Sequence, residues 1–204
     1  MVVVDTEHPL HALVATRLCH DVIGPVGAIG NGMELIEALG PAAAADDLAL
    51  VVESAQVARA RIEFLRLAFG RPVAGAGLSV EALIASIAPA FDRPRLTLRF
   101  DVQESGGATR APRCVALAVM CASKALPLGG EIVVSDAGQG FSVSGTGPNC
   151  GLSAHLTSVL NGTGERVSDP AEVEFALLRE AMVSQNRQLS VTQSEGALTI
   201  HVAG

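Results

Sequence analysis

The stretch Leu18-Cys19-His20-Asp21-Val22-Ile23-Gly24-Pro25-Val26-Gly27-Ala28-Ile29-Gly30-Asn31-Gly32-Met33-Glu34-Leu35 decides how the chain is read. On a helix that advances about 100° per residue, Gly24, Gly27 and Asn31 fall within about 40° of His20, as do Thr16 and Glu34. Arg17 lies at about 60° on the same wheel. Leu18, Val22, Ile29, Met33 and Ile36 fall on the opposite side, where a packing stripe belongs. His20 is therefore expected in solvent on a face of small and polar residues, with Leu13 the one apolar residue beside it. That face is costly. A helix-interior glycine costs about 1 kcal/mol against alanine, and Gly24, Gly27, Gly30 and Gly32 are all present. Pro25 adds about 3 kcal/mol and deprives the Asp21 carbonyl of its helical N–H. Local rules broken around one exposed histidine mark a functional face, with room for another protein's backbone to approach.

Working outward, the first helix is expected from Leu10 to Leu39, ended by Gly40-Pro41. The second is expected from Ala43, or from an Asp46 cap, to Phe69, with Gly70 just beyond its end and Pro72 preventing continuation. It places Leu48, Val51, Val52, Ala55, Ile62, Leu65 and Phe69 at heptad-like spacing, with Glu53, Gln56, Arg59 and Glu63 opposite. Two helices in a hairpin enclose little interior. Pairing two hairpins into a four-helix bundle would cover the stripes, so a homodimer is expected; a monomer whose second half covers the hairpin is the alternative.

Arg71 to Gly77 reads as a linker, and the rhythm changes after it. Ser79 to Phe91 and Pro112 to Leu126 read as helices, Pro170 to Asn186 as another, and Arg95 to Val102 alternates as a strand. Two hairpins are expected: Glu131 to Ser135 with Phe141 to Ser144 around Asp136-Ala137-Gly138-Gln139-Gly140, and Leu189 to Gln193 with Ala197 to Val202. The fold class is α+β: an antiparallel helical hairpin over 1–71, then an α/β sandwich over 72–204.

Composition narrows the function. Hydrophobic residues at 49% fill a core, and the 3% aromatics make it aliphatic. A net charge of −7 with so few aromatic rings argues against a nucleic-acid partner. No apolar run is read as approaching the roughly 18–20 residues of a membrane span, and the start at Met1-Val2-Val3-Val4-Asp5 lacks a secretory pattern, so a cytoplasmic protein with no membrane partner is expected. Cys19, Cys114, Cys121 and Cys150 form no metal-type pair, and His8 with His11 has no further ligand nearby; no metal site is expected.

His20-Asp21-Val22-Ile23-Gly24-Pro25 resembles the phosphoacceptor box of dimerising sensor histidine kinases, in which His is followed by an acid and, five residues on, by Pro. The longer stretch Leu18 to Leu35, with Phe64-Leu65-Arg66-Leu67-Ala68-Phe69-Gly70, resembles the alphaproteobacterial histidine phosphotransferase family of the ChpT type. The resemblance is close over most of the first 70 residues and one of layout beyond them. It implies a dimer whose central bundle displays two acceptor histidines, each subunit adding a degenerate kinase-like ATPase domain.

Kinase relatives bind ATP through an Asn for magnesium and an Asp that holds adenine. The segment Val115 to Ala125 contains no Asn, and Gly145 stands where the Asp would be. Asp136 to Gly140 has the letters of an adenine box but reads as a turn, and Gly162-Thr163-Gly164 is too short for a lid. The expectation is a phosphotransferase without ATP: His20 as phosphoacceptor attacking an aspartyl phosphate, Asp21 orienting the ring or supporting its charge, and no cofactor of its own. Magnesium would come from the partner receiver domain. Arg17, Gly24, Gly27, Asn31 and Glu34 are the candidate receiver-docking residues, and Glu165-Arg166 a candidate partner-selecting loop. The expected partners are receiver domains of a hybrid histidine kinase and of response regulators. An active sensor kinase fragment and a non-catalytic kinase- or receiver-binding regulator are the alternatives.

Overall fold

The structure is a computed structural model and describes residues 9–40, 45–71, 77–91, 93–164 and 166–204. Two long helices form the N-terminal hairpin: α1 (Leu10–Leu39) and α2 (Ala45–Phe69). Helix α1 runs unbroken through Pro25 and ends at Gly40, whose N–H donates to the Ile36 carbonyl at a φ of 54°. The expected start of α2 at Ala43 lies outside the described residues, as do His8, Pro41, Pro72 and Glu165.

The second half follows as α3 (Val80–Ile87), a 3-10 turn over Ala88–Phe91, β1 (Leu96–Asp101), α4 (Gly107–Arg110), α5 (Pro112–Lys124), β2 (Gly130–Ala137), β3 (Gly140–Thr146), α6 (Ala154–Asn161), a second 3-10 turn over Pro170–Glu172, α7 (Val173–Ser184), β4 (Leu189–Ser194) and β5 (Ala197–Val202). Ser79 caps α3 by accepting from the Ala82 N–H at 3.2 Å. The five strands order as β1-β2-β3-β5-β4. Strand β1 pairs parallel to β2, from Leu96 opposite Gly130 to Asp101 opposite Ser135, and the other pairs are antiparallel. Helix α5 is buried on every side from Cys114 to Ala122, with its charged residues Arg113 and Lys124 near its two ends. Ile132, Val134, Phe141, Val143, Leu198, Ile200 and Val202 form the sheet's inner face with period two.

Three expectations need correction. Helix α6 was not anticipated, although Ser153 caps it, Gly162 ends it at a φ of 73°, and Leu156, Val159 and Leu160 bury its inner face. The turn around residue 138 is tighter than expected: Ala137 still pairs with Gly140, and Asp136 lies inside β2. Its carboxylate accepts from the Gln103 and Ala108 N–H groups at 2.7 and 2.9 Å, so this Asp pins the loop between β1 and α4 rather than shaping the turn. Third, α1 is long and apolar enough, by length and composition, to cross a membrane.

One hydrophobic core crosses from the hairpin into the second half. The end of α2 contributes Phe64, Leu65 and Ala68, all buried, and α1 contributes Leu13. The Phe64 ring meets Phe91 edge-on, centroids 5.0 Å apart, and Arg113 Nε donates to the Ala68 carbonyl at 3.1 Å. Only this end of the hairpin is covered. Ile23, Val26, Met33 and Leu35 on α1, and Leu48, Leu50, Val52, Val57 and Ile62 on α2, stay exposed. Leu48, Val52 and Ile62 of the expected inner stripe are among them, because two helices meet along one line and cannot enclose a full heptad face.

Candidate functional site

His20 stands in the middle of α1 with 84% of its side chain exposed. The neighbouring Asp21 side chain is only 6% exposed, because α2 and the start of α7 close over that side of the helix. Three groups converge on the Asp21 carboxylate. Arg17 Nε, one turn earlier, donates to Oδ2 at 3.0 Å; Arg61 on α2 donates to the same oxygen at 2.8 Å; His20 Nδ1 lies 3.3 Å from Oδ1. An ionised carboxylate only accepts, so this contact is made by a protonated Nδ1, on a side chain that is otherwise open to solvent. Burial by itself would raise the Asp21 carboxyl, but the Arg61 and Arg17 guanidiniums and the hydrogen bonds from His20 and Arg17 outweigh it and hold the group below its ordinary value.

Arg61 is itself fixed. Its second amino group donates to the Ala90 carbonyl at 3.4 Å, and its guanidinium lies 5.9 Å from the Phe64 ring centre. Arg17 extends on to Glu174 at the start of α7, with Nη1 3.9 Å from Oε2. Helix α1 is thus tied through Asp21 to α2 and through Arg17 to the second half.

Around His20 the helix surface is bare. A Cβ on Gly24, Gly27 or Gly30 would meet nothing within 4 Å. Gly32 has a different role: a Cβ there would collide with the Val51 side chain of α2, so it lets the two helices approach. Asn31 and Glu34 are exposed on the His20 side. Arg17, expected on the docking face, is instead largely buried in the ion pair with Asp21. Sequence reasoning missed Arg61 and Glu174. A signal existed for Arg61, which follows Ala58 and precedes Leu65 at helical spacing, a cation set in the buried stripe of α2. Glu174 carried no such signal, since its burial depends on α1 lying over α7.

Among the described residues, no group of three or more His, Cys, Asp or Glu is placed to hold a metal. Gly145 lies against the end of α5, where a Cβ would stand 3.3 Å from Leu126 Cδ1. A side chain there would press on Leu126.

A family model described as the histidine phosphotransferase C-terminal domain matches residues 80–197. Over 72 residues the chain is 49% identical to protein phosphotransferase ChpT of Brucella abortus (strain 2308); the match spans 35% of this chain and about a third, 33%, of that relative's length. A solved structure of a bacterial phosphotransferase superposes with a TM-score of 0.78, covering 100% of this chain and 98% of that one at 23% identity, which establishes a common fold. The histidine kinase AdeS of Acinetobacter baumannii is more distant, with a TM-score of 0.45 and 12% identity over 90% of this chain and 95% of that one.

Proposed function

The chain belongs to the histidine phosphotransferase family, and from that premise we propose that it relays a phosphoryl group between aspartates of receiver domains through a phosphohistidine at His20. The observation that carries this reading is the asymmetry at one helix turn: His20 open to solvent, its Nδ1 on an Asp21 that two arginines hold still. In the proposed reaction Nε2 attacks the phosphorus of a receiver's aspartyl phosphate. The P–O bond breaks, the receiver's carboxylate leaves with the electron pair, and Asp21 balances the positive charge left on the ring. The return reaction hands the group to a second receiver. Because phosphoryl transfer rests on positioning and charge neutralisation, the magnesium of the receiver serves the step and the carrier supplies alignment.

The open helix surface at Gly24, Gly27 and Gly30 supports a docking face on which Asn31 and Glu34 make polar contacts. Arg17 acts through Asp21. The exposed apolar residues of α1 and α2 support pairing of two hairpins into a four-helix bundle; burying one such side chain is worth about 1.5–3 kcal/mol. The mid-helix ion pair of Asp21 with Arg17 and Arg61 supports reading α1 as a bundle helix of a cytoplasmic protein rather than a membrane span, where such charges are costly. We take 1–71 as the transfer hairpin and 72–204 as a kinase-like domain that does not use ATP. The absence of an Asp at Gly145, where an added Cβ would press on Leu126, and the commitment of Asp136 to backbone N–H groups support that last point.

The test is transfer of label from a phosphorylated receiver to the full chain, with acid-labile, base-stable phosphate on His20 expected. Undiminished labelling of the His20→Ala variant would overturn the assignment. Saturable ATP binding would instead favour a kinase fragment.

A further inference from the structure

The two oxygens of Asp21 are divided between partners. Oδ2 accepts from Arg17 Nε at 3.0 Å and from Arg61 Nη2 at 2.8 Å, while Oδ1 faces His20 Nδ1 at 3.3 Å. An ionised carboxylate beside an imidazole acts in two opposed ways. It orients the ring by accepting from Nδ1. It also favours the imidazolium, and a ring with protons on both nitrogens has no lone pair with which to attack phosphorus. A nucleophilic histidine needs the first effect without the second.

The charges around Asp21 are arranged to that end. Arg17 shares α1 with Asp21, one turn earlier, and moves with it. Arg61 reaches over from α2, its side chain 15% exposed, and is itself held by the Ala90 carbonyl and the Phe64 ring. It therefore fixes the carboxylate from outside the helix that carries His20. Glu174, buried at the start of α7, returns one negative charge 3.9 Å from Arg17 Nη1, and the exposed Arg93 stands near enough to Arg61 to act on its charge. Two guanidiniums on the oxygen that His20 does not use offset the carboxylate's charge and leave its other oxygen free to accept. Stability alone gives little reason for the arrangement, since a buried ion pair often does no better than apolar residues of like volume.

We propose that Arg61 is a positioning residue for the transfer: with Arg17 it occupies Oδ2 of Asp21, so that the carboxylate orients the His20 ring through Nδ1 without drawing a second proton onto Nε2. Nδ1 then keeps its proton throughout, and Nε2 forms the bond to phosphorus as the receiver's carboxylate leaves. This rests on the relay through His20 proposed above and assigns to α2 the control of that site's reactivity.

The experiment compares rates of label transfer from one phosphorylated receiver to the full-length wild type and to Arg61→Gln, from about pH 8 to about pH 6, a span across the ordinary imidazole value. Both chains meet the same receiver at each pH, so the titrations of the receiver and of Glu174 enter both rates. The ratio of variant to wild-type rate is expected to fall at least about twofold toward the acid end, because loss of a cation from the carboxylate favours the imidazolium. Arg61→Lys, which keeps the charge, is expected to hold its ratio level. An Arg61→Gln ratio that stays level, however low, is the mark of a residue that only supports the fold, and overturns the proposal. An Arg61→Lys ratio that falls as steeply as that of Arg61→Gln overturns it too. Arg17→Gln removes the other guanidinium from Oδ2 and is expected to show the same acid-side loss. Should Arg61→Gln not fold, Arg17→Gln decides, and a level ratio there overturns the proposal. A wild type that takes no label on His20 overturns the relay and this proposal together; a labelled wild type with level variant ratios overturns this proposal alone.

Discussion

The two halves of this molecule use their apolar residues in opposite ways. In the second half, α5 buries every residue from Cys114 to Ala122 and the sheet closes against it. In the hairpin, α1 buries Leu13 alone and leaves Ile23, Val26, Met33 and Leu35 in solvent, while its exposed His20 imidazole stands on the far side from most of its apolar stripe. A region that completes its own core is a scaffold; the region that leaves its core open is the one that the proposed pairing of two hairpins would finish. The proposed chemistry lies on the open region, which the closed region holds in place through Phe64, Phe91, Arg113 and Glu174.

The sharpest way to separate the halves is to exchange their failures. His20→Ala is expected to abolish phosphoryl transfer while leaving thermal unfolding unchanged. Leu117→Ala in α5 is expected to cost about 3 kcal/mol by denaturant titration, the usual loss at a fully buried leucine, while the exposed Leu50→Ala costs under about 0.5 kcal/mol in the dissociated chain and weakens self-association in sedimentation. Equal losses at Leu117 and Leu50 in the dissociated chain would erase the contrast. Next in size is the clamp. Arg61→Met strips Asp21 of its shortest partner, with a destabilisation of about 2 kcal/mol and slower transfer, and the His20 ring signals should shift in NMR as its anchor loosens.

Smaller effects sharpen the picture. Gly27→Ala meets no steric obstacle and should stabilise the helix by about 0.5–1 kcal/mol. Transfer should nonetheless slow, because the methyl group intrudes on the docking face; faster or unchanged transfer would remove Gly27 from that face. Glu174 gives the pH test. Burial pushes its carboxyl above the ordinary value, with Arg17 and Lys124 offsetting part of the rise. A raised folded-state pKa means stability that is full below the unfolded-state value of about 4.3 and declines as pH rises through the folded-state value. Wild-type melting should fall as pH rises above the ordinary glutamate range, and Glu174→Gln should flatten that slope.

What was legible in the sequence was local. The α1 wheel placed His20 in solvent, and Gly40, Gly70 and Ser79 marked element ends because caps and breakers act within a turn. What was not legible was long-range. Nothing near Asp21 announces Arg61, forty residues away, and the parallel pairing of β1 with β2 depends on the path through α4 and α5. Helix α6 is a different case: the Ser153 and Gly162 signals were present, masked by glycine-rich segments on both sides. Leu13 shows the limit of a helical wheel. It shares a face with His20 yet is buried, because the second half covers only the first turns of α1.

The continuous core at Phe64 and Phe91 has a kinetic consequence. Where a kinase must swing its nucleotide domain toward the acceptor, here the two halves are joined by a packed seam and travel together. Under the proposed relay, a seam that keeps the halves together would leave the dwell time of a phosphoryl group on the ring to be set by how often partners arrive and how fast they leave.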